Sequence, residues 1–437
     1  LLTGMASCDR QPKKQQQEEV KFEWIADRFD DIKVLRYRVD GFEELPLEEK
    51  LMIYYLSEAA LCGRDILFDQ NCTYNLPIRR TLEAIYEGYT GDKSDPYWEE
   101  FVKYIKKVWF ANGIHHHYSM DKFVPEFTDE YFIMLVDGTP AEKFPSDYGT
   151  QEELITMVRS LIFDRDVMPV RVDQSPGVDM LTSSAMNYYE GVTQREAESF
   201  YRRLYETKAL PGNPISYGLN SKLVKEDGKL VEHVWSSEGM YAPAIDKIVF
   251  WLEKASEVAN TQQKPIIESL VTFYRTGSLK EFDNYNILWV ADTVSRVDFI
   301  NGFIEVYGDP LGYKASWESV VNFKNIEATR RTEIISDNAQ WFEDHSPVED
   351  RFKKKEVKGV SAKVITAAML GGDCYPAAPT GINLPHADWI RRDHGSKPVT
   401  IQYISDAYTA PSNANGLLQE FNLRDENRTR LDNSPRL

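Results

Sequence analysis

Two short segments carry residue types whose spacing suits the binding and polarisation of a polar substrate. The first is Glu305-Val306-Tyr307-Gly308-Asp309-Pro310-Leu311-Gly312-Tyr313. If 303–307 forms a strand, Glu305 and Tyr307 point to one side, two residues apart. A carboxylate there can receive a protonated amine, and a phenol can donate to a carbonyl or an oxyanion. The same spacing also fits a strand with one exposed face. The second segment is Pro379-Thr380-Gly381-Ile382-Asn383-Leu384-Pro385-His386. Two prolines and a glycine predict a rigid, extended loop. Asn383 and His386 would offer fixed hydrogen-bonding groups from it. A turn with Asn in a permissive backbone conformation accounts for the same residues.

Other chemistries are poorly supplied. The triplet His115-His116-His117 invites a metal reading. Consecutive residues share no face of a helix or strand, so adjacent imidazoles rarely ligate one ion, and a structural or surface role is the simpler reading. The chain contains no HExxH or HxxEH pair, GxSxG elbow, P-loop or GxGxxG turn. Cys8, Cys62, Cys72 and Cys374 form no CxxC pair, and four cysteines in 437 residues do not predict a disulfide framework.

The composition suits a large buried core, with 42% hydrophobic residues. The formal net charge of -18 argues against binding a phosphate backbone, so nucleic acid is not an expected partner, while a cationic ligand remains compatible. No apolar run reaches the length of a transmembrane helix. Leu1-Leu2-Thr3-Gly4-Met5-Ala6-Ser7-Cys8, followed by a polar stretch to Val20, resembles the tail of a bacterial lipoprotein signal with Cys8 as the lipidated residue. That reading expects a lipid anchor at the cell envelope and a tether up to residue 20. A frayed terminus with a chance cysteine, and a cytoplasmic location, is the alternative.

The elements that must position these residues read as α+β. Helical spacing predicts helices from about Leu47, over Pro77–Tyr89 and Tyr97–Phe110, and over Pro243–Ala259 and Pro265–Arg275. Thr150-Gln151-Glu152-Glu153 and Thr193-Gln194-Arg195-Glu196 are capping boxes ahead of two more. Strands are predicted at 303–307, 362–370 and 399–404, with a helix over 326–342 between the first two and a solvated stretch at 349–358.

The two segments together resemble the dipeptidyl peptidase III family. Glu305 to Glu318 (EVYGDPLGYKASWE) matches its E-x-Y-x-D-P-x-G strand and turn, and Pro379 to Pro385 (PTGINLP) its P-x-G-I-N-x-P loop. Asn187-Tyr188-Tyr189-Glu190-Gly191-Val192-Thr193, Ser216-Tyr217-Gly218-Leu219-Asn220 and Lys122-Phe123-Val124-Pro125 fit its bacterial members. The resemblance runs from about residue 25 to about 420.

It implies a zinc-dependent exopeptidase that removes dipeptides from the free N-terminus of short peptides, with two lobes around a cleft. One lobe combines a β-barrel with helices. The other is helical and holds zinc on an HExxGH helix and a later Glu. On that pattern Glu305 anchors the substrate ammonium, Tyr307 donates to the scissile carbonyl, and Asn383 binds the peptide backbone. The family often has a second Asn where this chain has His386, a side chain whose charge varies near neutral pH. The implied organisation is a barrel-and-helix lobe over 21–325 and 366–412, an excursion into the helical lobe over 326–365, and the truncated start of that lobe over 413–437. Because the HExxGH motif is absent, the chain is expected to bind no zinc and to be inactive alone. A non-catalytic peptide-binding lipoprotein is the rival reading.

Overall fold

The fold is described from a computed structural model, which places residues 22–208, 212–357 and 363–402. Cys8, the polar stretch before residue 21 and the segment 413–437 lie outside the described residues. These fall into two units, 22–37 and 38–402. The smaller unit is an antiparallel hairpin of β1 (Ile25–Phe29) and β2 (Ile32–Leu35), with Asp30 at positive φ in its turn.

The larger unit opens with helices whose ends follow their sequence signals. They are α1 (Leu47–Cys62), α2 (Arg64–Asn71), α3 (Asn75–Gly88), α4 (Pro96–Phe110), α5 (Asp129–Asp137) and α6 (Gln151–Phe163). Asp95 caps α4 by accepting from Tyr97 N–H at 2.8 Å, and Pro96 takes a position where its missing N–H is no loss. The predicted Thr150–Glu153 box opens α6, with reciprocal bonds of 2.9 and 3.2 Å. Apolar residues of α3 to α6, among them Ile85, Phe101, Phe132 and Val158, meet in one fully buried helical core.

A second core forms around the strands. After β3 (Tyr189–Glu190) and α7 (Gln194–Lys208) come β4 (Ser221–Glu226) and β5 (Lys229–Val234), which complete a three-stranded sheet in the order β3-β4-β5. The predicted Thr193–Glu196 box caps α7, at 3.0 and 3.4 Å. Next come α8 (Ala242–Val258), α9 (Gln263–Thr276) and α10 (Leu279–Ala291), followed by β6 (Val297–Glu305), β7 (Ser316–Lys324), α11 (Ile326–Asp337) and α12 (Ala339–Asp344). Last are β8 (Lys363–Gly372), β9 (Gly381–Leu384), α13 (Asp388–Asp393) and β10 (Lys397–Ile401).

The five later strands form one sheet in the order β6-β7-β8-β10-β9. It is an open sheet among the described residues, with β6 and β9 at its ends. Its pairs are antiparallel except β8–β10. Lys397 of β10 reaches Asp298 of β6 at 3.1 Å, so a buried ion pair ties one end of the sheet towards the other.

Three element readings need correction. The first strand of the site runs 297–305, not 303–307. Both its faces are buried, so it lacks the alternation that marks half-buried strands. The helix expected over 326–342 breaks at Asn338, whose side chain turns back to the Ile334 carbonyl at 2.7 Å. The Pro379–His386 loop contains a short strand, β9, because Pro385 falls just beyond its end rather than within its ladder.

β7 is fixed from both sides. The Gln70 side chain on α2 donates to the Ala315 carbonyl at 3.0 Å and accepts from Trp317 N–H at 2.9 Å. Trp317 is fully buried, and its indole N–H donates to Tyr274 Oη at 2.9 Å. Burying a side chain of this size contributes roughly 3 kcal/mol. No helix among the described residues is long and apolar enough to cross a membrane. The described cysteines, Cys62, Cys72 and Cys374, are free thiols.

Candidate functional site

Glu305 is the last residue of β6, opposite Ser316 on β7, just past a bulge between Phe303 and Glu305. The strand ends at Glu305, so the alternation that would have set Glu305 and Tyr307 on one strand face stops there. Tyr307 instead stands in the turn beyond the strand and is 74% exposed. The two residues are brought together by a third. His386, in the loop after β9, sets its Nε2 3.0 Å from Glu305 Oε2. The ring of Tyr307 approaches the His386 ring edge to face, 6.5 Å between centroids. Asn383 is exposed on β9, three residues before His386, and makes no side-chain hydrogen bond among the described residues.

The turn after Tyr307 is organised by Asp309. This buried carboxylate accepts from Leu311 N–H at 3.1 Å, Tyr313 N–H at 2.8 Å, Lys314 N–H at 2.9 Å and Tyr189 Oη–H at 2.8 Å. Burial pushes its carboxyl above the usual range, and the four donors oppose that. Lys314 follows, fully buried, with its ammonium on Tyr201 Oη and 3.0 Å from Ser221 Oγ. Burial pulls it down to about 8.

A second layer backs Glu305. Ser316 Oγ lies 2.9 Å from the Glu305 carbonyl oxygen and 2.7 Å from Asp373 Oδ2. Glu318 is buried and accepts from the Cys374 thiol at 3.1 Å, while its other oxygen has no protein partner. Burial, then the nearby Glu305 charge, pushes the Glu318 carboxyl well up. The same two causes raise Asp373.

The histidine triplet divides among three settings. His115 is buried, its Nε2 2.9 Å from the Met168 carbonyl, and burial lowers it to about 4. His116 accepts from Tyr118 and Ser119 N–H, both at 3.1 Å. His117 stacks on the His116 ring. Among the described residues no group of three His, Cys, Asp or Glu side chains could hold a metal ion.

A carboxylate and an imidazole at one corner, with an exposed phenol beside them, can receive an ammonium and donate to an adjacent oxygen. Residues 216–427, which include both motif segments, match the model of peptidase family M49.

The chain is similar to dipeptidyl peptidase III proteins.

Dipeptidyl peptidase 3 of Dictyostelium discoideum is 22% identical over 386 residues, covering 83% of this chain and 53% of the relative. The Homo sapiens protein of the same name is 22% identical over 395 residues, with the same coverage. The chain thus spans about half the length of the curated relatives it matches. The dipeptidyl peptidase III structures from Caldithrix abyssi (19% identical, TM-score 0.60) and from Corallococcus sp. strain EGB (17% identical, TM-score 0.58) share the fold. They cover 84% and 86% of this chain, and 57% of each of those chains is covered.

Several stretches quoted for the dipeptidyl peptidase III resemblance support the site. Tyr189 holds Asp309, and Asn187 joins Asp69 at 2.9 Å to Lys222 at 2.7 Å. Gly218 has φ of +92°, and a Cβ there would meet the Tyr201 ring at 2.7 Å. Sequence reasoning missed the layer of Ser316, Glu318, Asp373 and Cys374. Glu318 stood inside the quoted motif, but nothing in the spacing pairs it with a cysteine more than fifty positions later.

Proposed function

We propose that this chain supplies the peptide-gripping part of a dipeptidyl peptidase III, acting on short peptides with a free N-terminus. Glu305 receives the terminal ammonium, with His386 orienting its carboxylate. Tyr307 donates to the carbonyl of the bond to be cut, and Asn383 takes a backbone group near the peptide's start. The observation that carries the reading is the meeting of Glu305 and His386 at 3.0 Å beside the exposed Tyr307. A carboxylate hydrogen-bonded on one oxygen keeps the other available for a cation.

Zinc is the metal of the family, and the residues here do not fit it. The sequence has no HExxGH, and the described residues offer no set of three ligands. Amide hydrolysis needs a far larger barrier reduction than one phenol donor supplies. This 437-residue polypeptide alone is therefore expected to release no dipeptide.

The lobe division given by the resemblance is part of the proposal. Its support is the segment over 326–352, where Ile326, Ile334, Ile335, Trp341, Phe342 and Phe352 are all exposed. A lobe packed on that segment would cover them.

Calorimetric titration with a free-amine tetrapeptide and its N-acetylated form tests the reading. Binding of the first, with at least tenfold loss on acetylation, supports it. Equal binding of both forms removes the role given to Glu305.

A further inference from the structure

His386 lines a cavity of about 160 Å³. Its walls are aromatic, with Tyr205, Tyr217, Phe282, Tyr285, Trp289 and Tyr313 among the lining residues. One carboxylate enters it, that of Asp283 on α10. Asp283 forms no hydrogen bond and no ion pair among the described residues. Two of the donors that line the cavity are used elsewhere. The Trp289 indole N–H donates to Asp298 at 2.8 Å, and the Tyr217 hydroxyl donates to the Lys208 carbonyl at 3.0 Å. No lysine or arginine lines the cavity, and its other ionisable groups are the tyrosines and His386.

A carboxylate left unpaired against aromatic rings costs stability unless something answers it. The complementary group is a cation carried on an apolar arm. Its charge meets the carboxylate, its N–H bonds supply the missing donors, and ring faces attract it further. A bare metal ion fits poorly, because the cavity offers one carboxylate and no second acidic ligand. An anion is excluded by the same carboxylate.

We propose that this cavity is a binding site for a small organic cation of the alkylammonium class, with Asp283 as its counter-ion and the surrounding rings as its cage. The site adjoins the Glu305 corner, since Ile304, Val306 and His386 line it, but its charge is carried by Asp283, so it stands or falls independently of the peptide reading. The source of the ammonium, a free amine or a basic side chain, is distinguished below.

Burial supports the assignment by raising the Asp283 carboxyl to about 7. A cation binds the ionised form, so affinity should climb about tenfold per pH unit below that value and level off above it.

The test uses n-butylammonium as probe, n-butanol as its uncharged counterpart, and the full 437-residue chain. Titration by calorimetry or by NMR of the tryptophan indole signals should give saturable binding with a Kd on the order of 1 mM at pH 8. Asp283→Asn should weaken binding at least tenfold, and the affinity of the unsubstituted chain should fall between pH 8 and pH 6. Asn is nearly isosteric and Asp283 makes no bonds, so the variant should fold, as circular dichroism can verify. A short peptide with an internal lysine and an acetylated N-terminus, which cannot use Glu305, tests the side-chain source against the free amine. Competition by that peptide assigns the site to basic side chains, and its failure to compete restricts the site to free amines. Absence of saturable n-butylammonium binding, equal binding by Asp283→Asn, or equal binding of n-butanol would each overturn the proposal.

Discussion

Glu305 and His386 lie 81 positions apart in sequence, yet their side chains meet at 3.0 Å. One closes the first strand of the sheet, β6, and the other follows its last-placed strand, β9. Their meeting is therefore a product of the fold, since neither sequence segment holds both residues.

That contact should be measurable. His386→Ala removes the group that fixes the Glu305 carboxylate and should weaken binding of a free-amine peptide by about three- to tenfold, the net worth of one partly exposed hydrogen bond. His386→Asn keeps a donor and should recover part of the loss. Peptide titrations with the three chains compare them directly.

Asp309 answers four donors with one carboxylate. Asp309→Ala would leave three backbone N–H groups and a tyrosine hydroxyl without an acceptor. The expected cost is about 3–5 kcal/mol, seen as a marked fall in the thermal midpoint. Peptide binding should fall with it, because Tyr307 sits on the same turn.

Gly63 separates α1 from α2 against the indole of Trp317, where an added Cβ would come within 2.2 Å of the ring. Its φ of -87° is open to any residue, so the demand is for space alone. Trp317 is fully buried and cannot swing away. Gly63→Ala should destabilise by about 1–3 kcal/mol, the usual cost of overpacking, measured by chemical denaturation.

Asp283 makes stability depend on pH. Its carboxyl lies near 3.8 when the chain is unfolded and near 7 in the fold. Between those values the folded state holds the extra proton, so stability falls as pH rises through the window. Asp283→Asn removes the penalty. It should stabilise by roughly 2–4 kcal/mol at pH 8 and change little at pH 4, as denaturation at the two pH values would show.

Much of the helical part was legible in the sequence. Phe101, Tyr104, Ile105 and Val108 repeat at helical spacing behind the Asp95-Pro96 start, and the Thr150 and Thr193 boxes mark their helices to within a residue. The sheet was less legible. Asp298, Asn301 and Ser319 are polar yet buried in β6 and β7, and their bonds to Trp289, Tyr274 and each other are invisible to a pattern of apolar residues. In the candidate site, Glu305, Tyr307, Asn383 and His386 were readable from two motifs. The buried Glu318 behind them was not, because its raised carboxyl depends on burial and on Glu305 and Asp373, which only folding brings near.

The central claim, that Glu305 grips a peptide's ammonium, is tested most directly by a two-way cycle. Affinity is measured for free-amine and N-acetylated versions of one tetrapeptide, each against the unsubstituted chain and Glu305→Gln. If the carboxylate and the ammonium meet, the two changes share one loss, with a coupling energy of about 1.5–3 kcal/mol. Losses that simply add, with no coupling, would contradict the account.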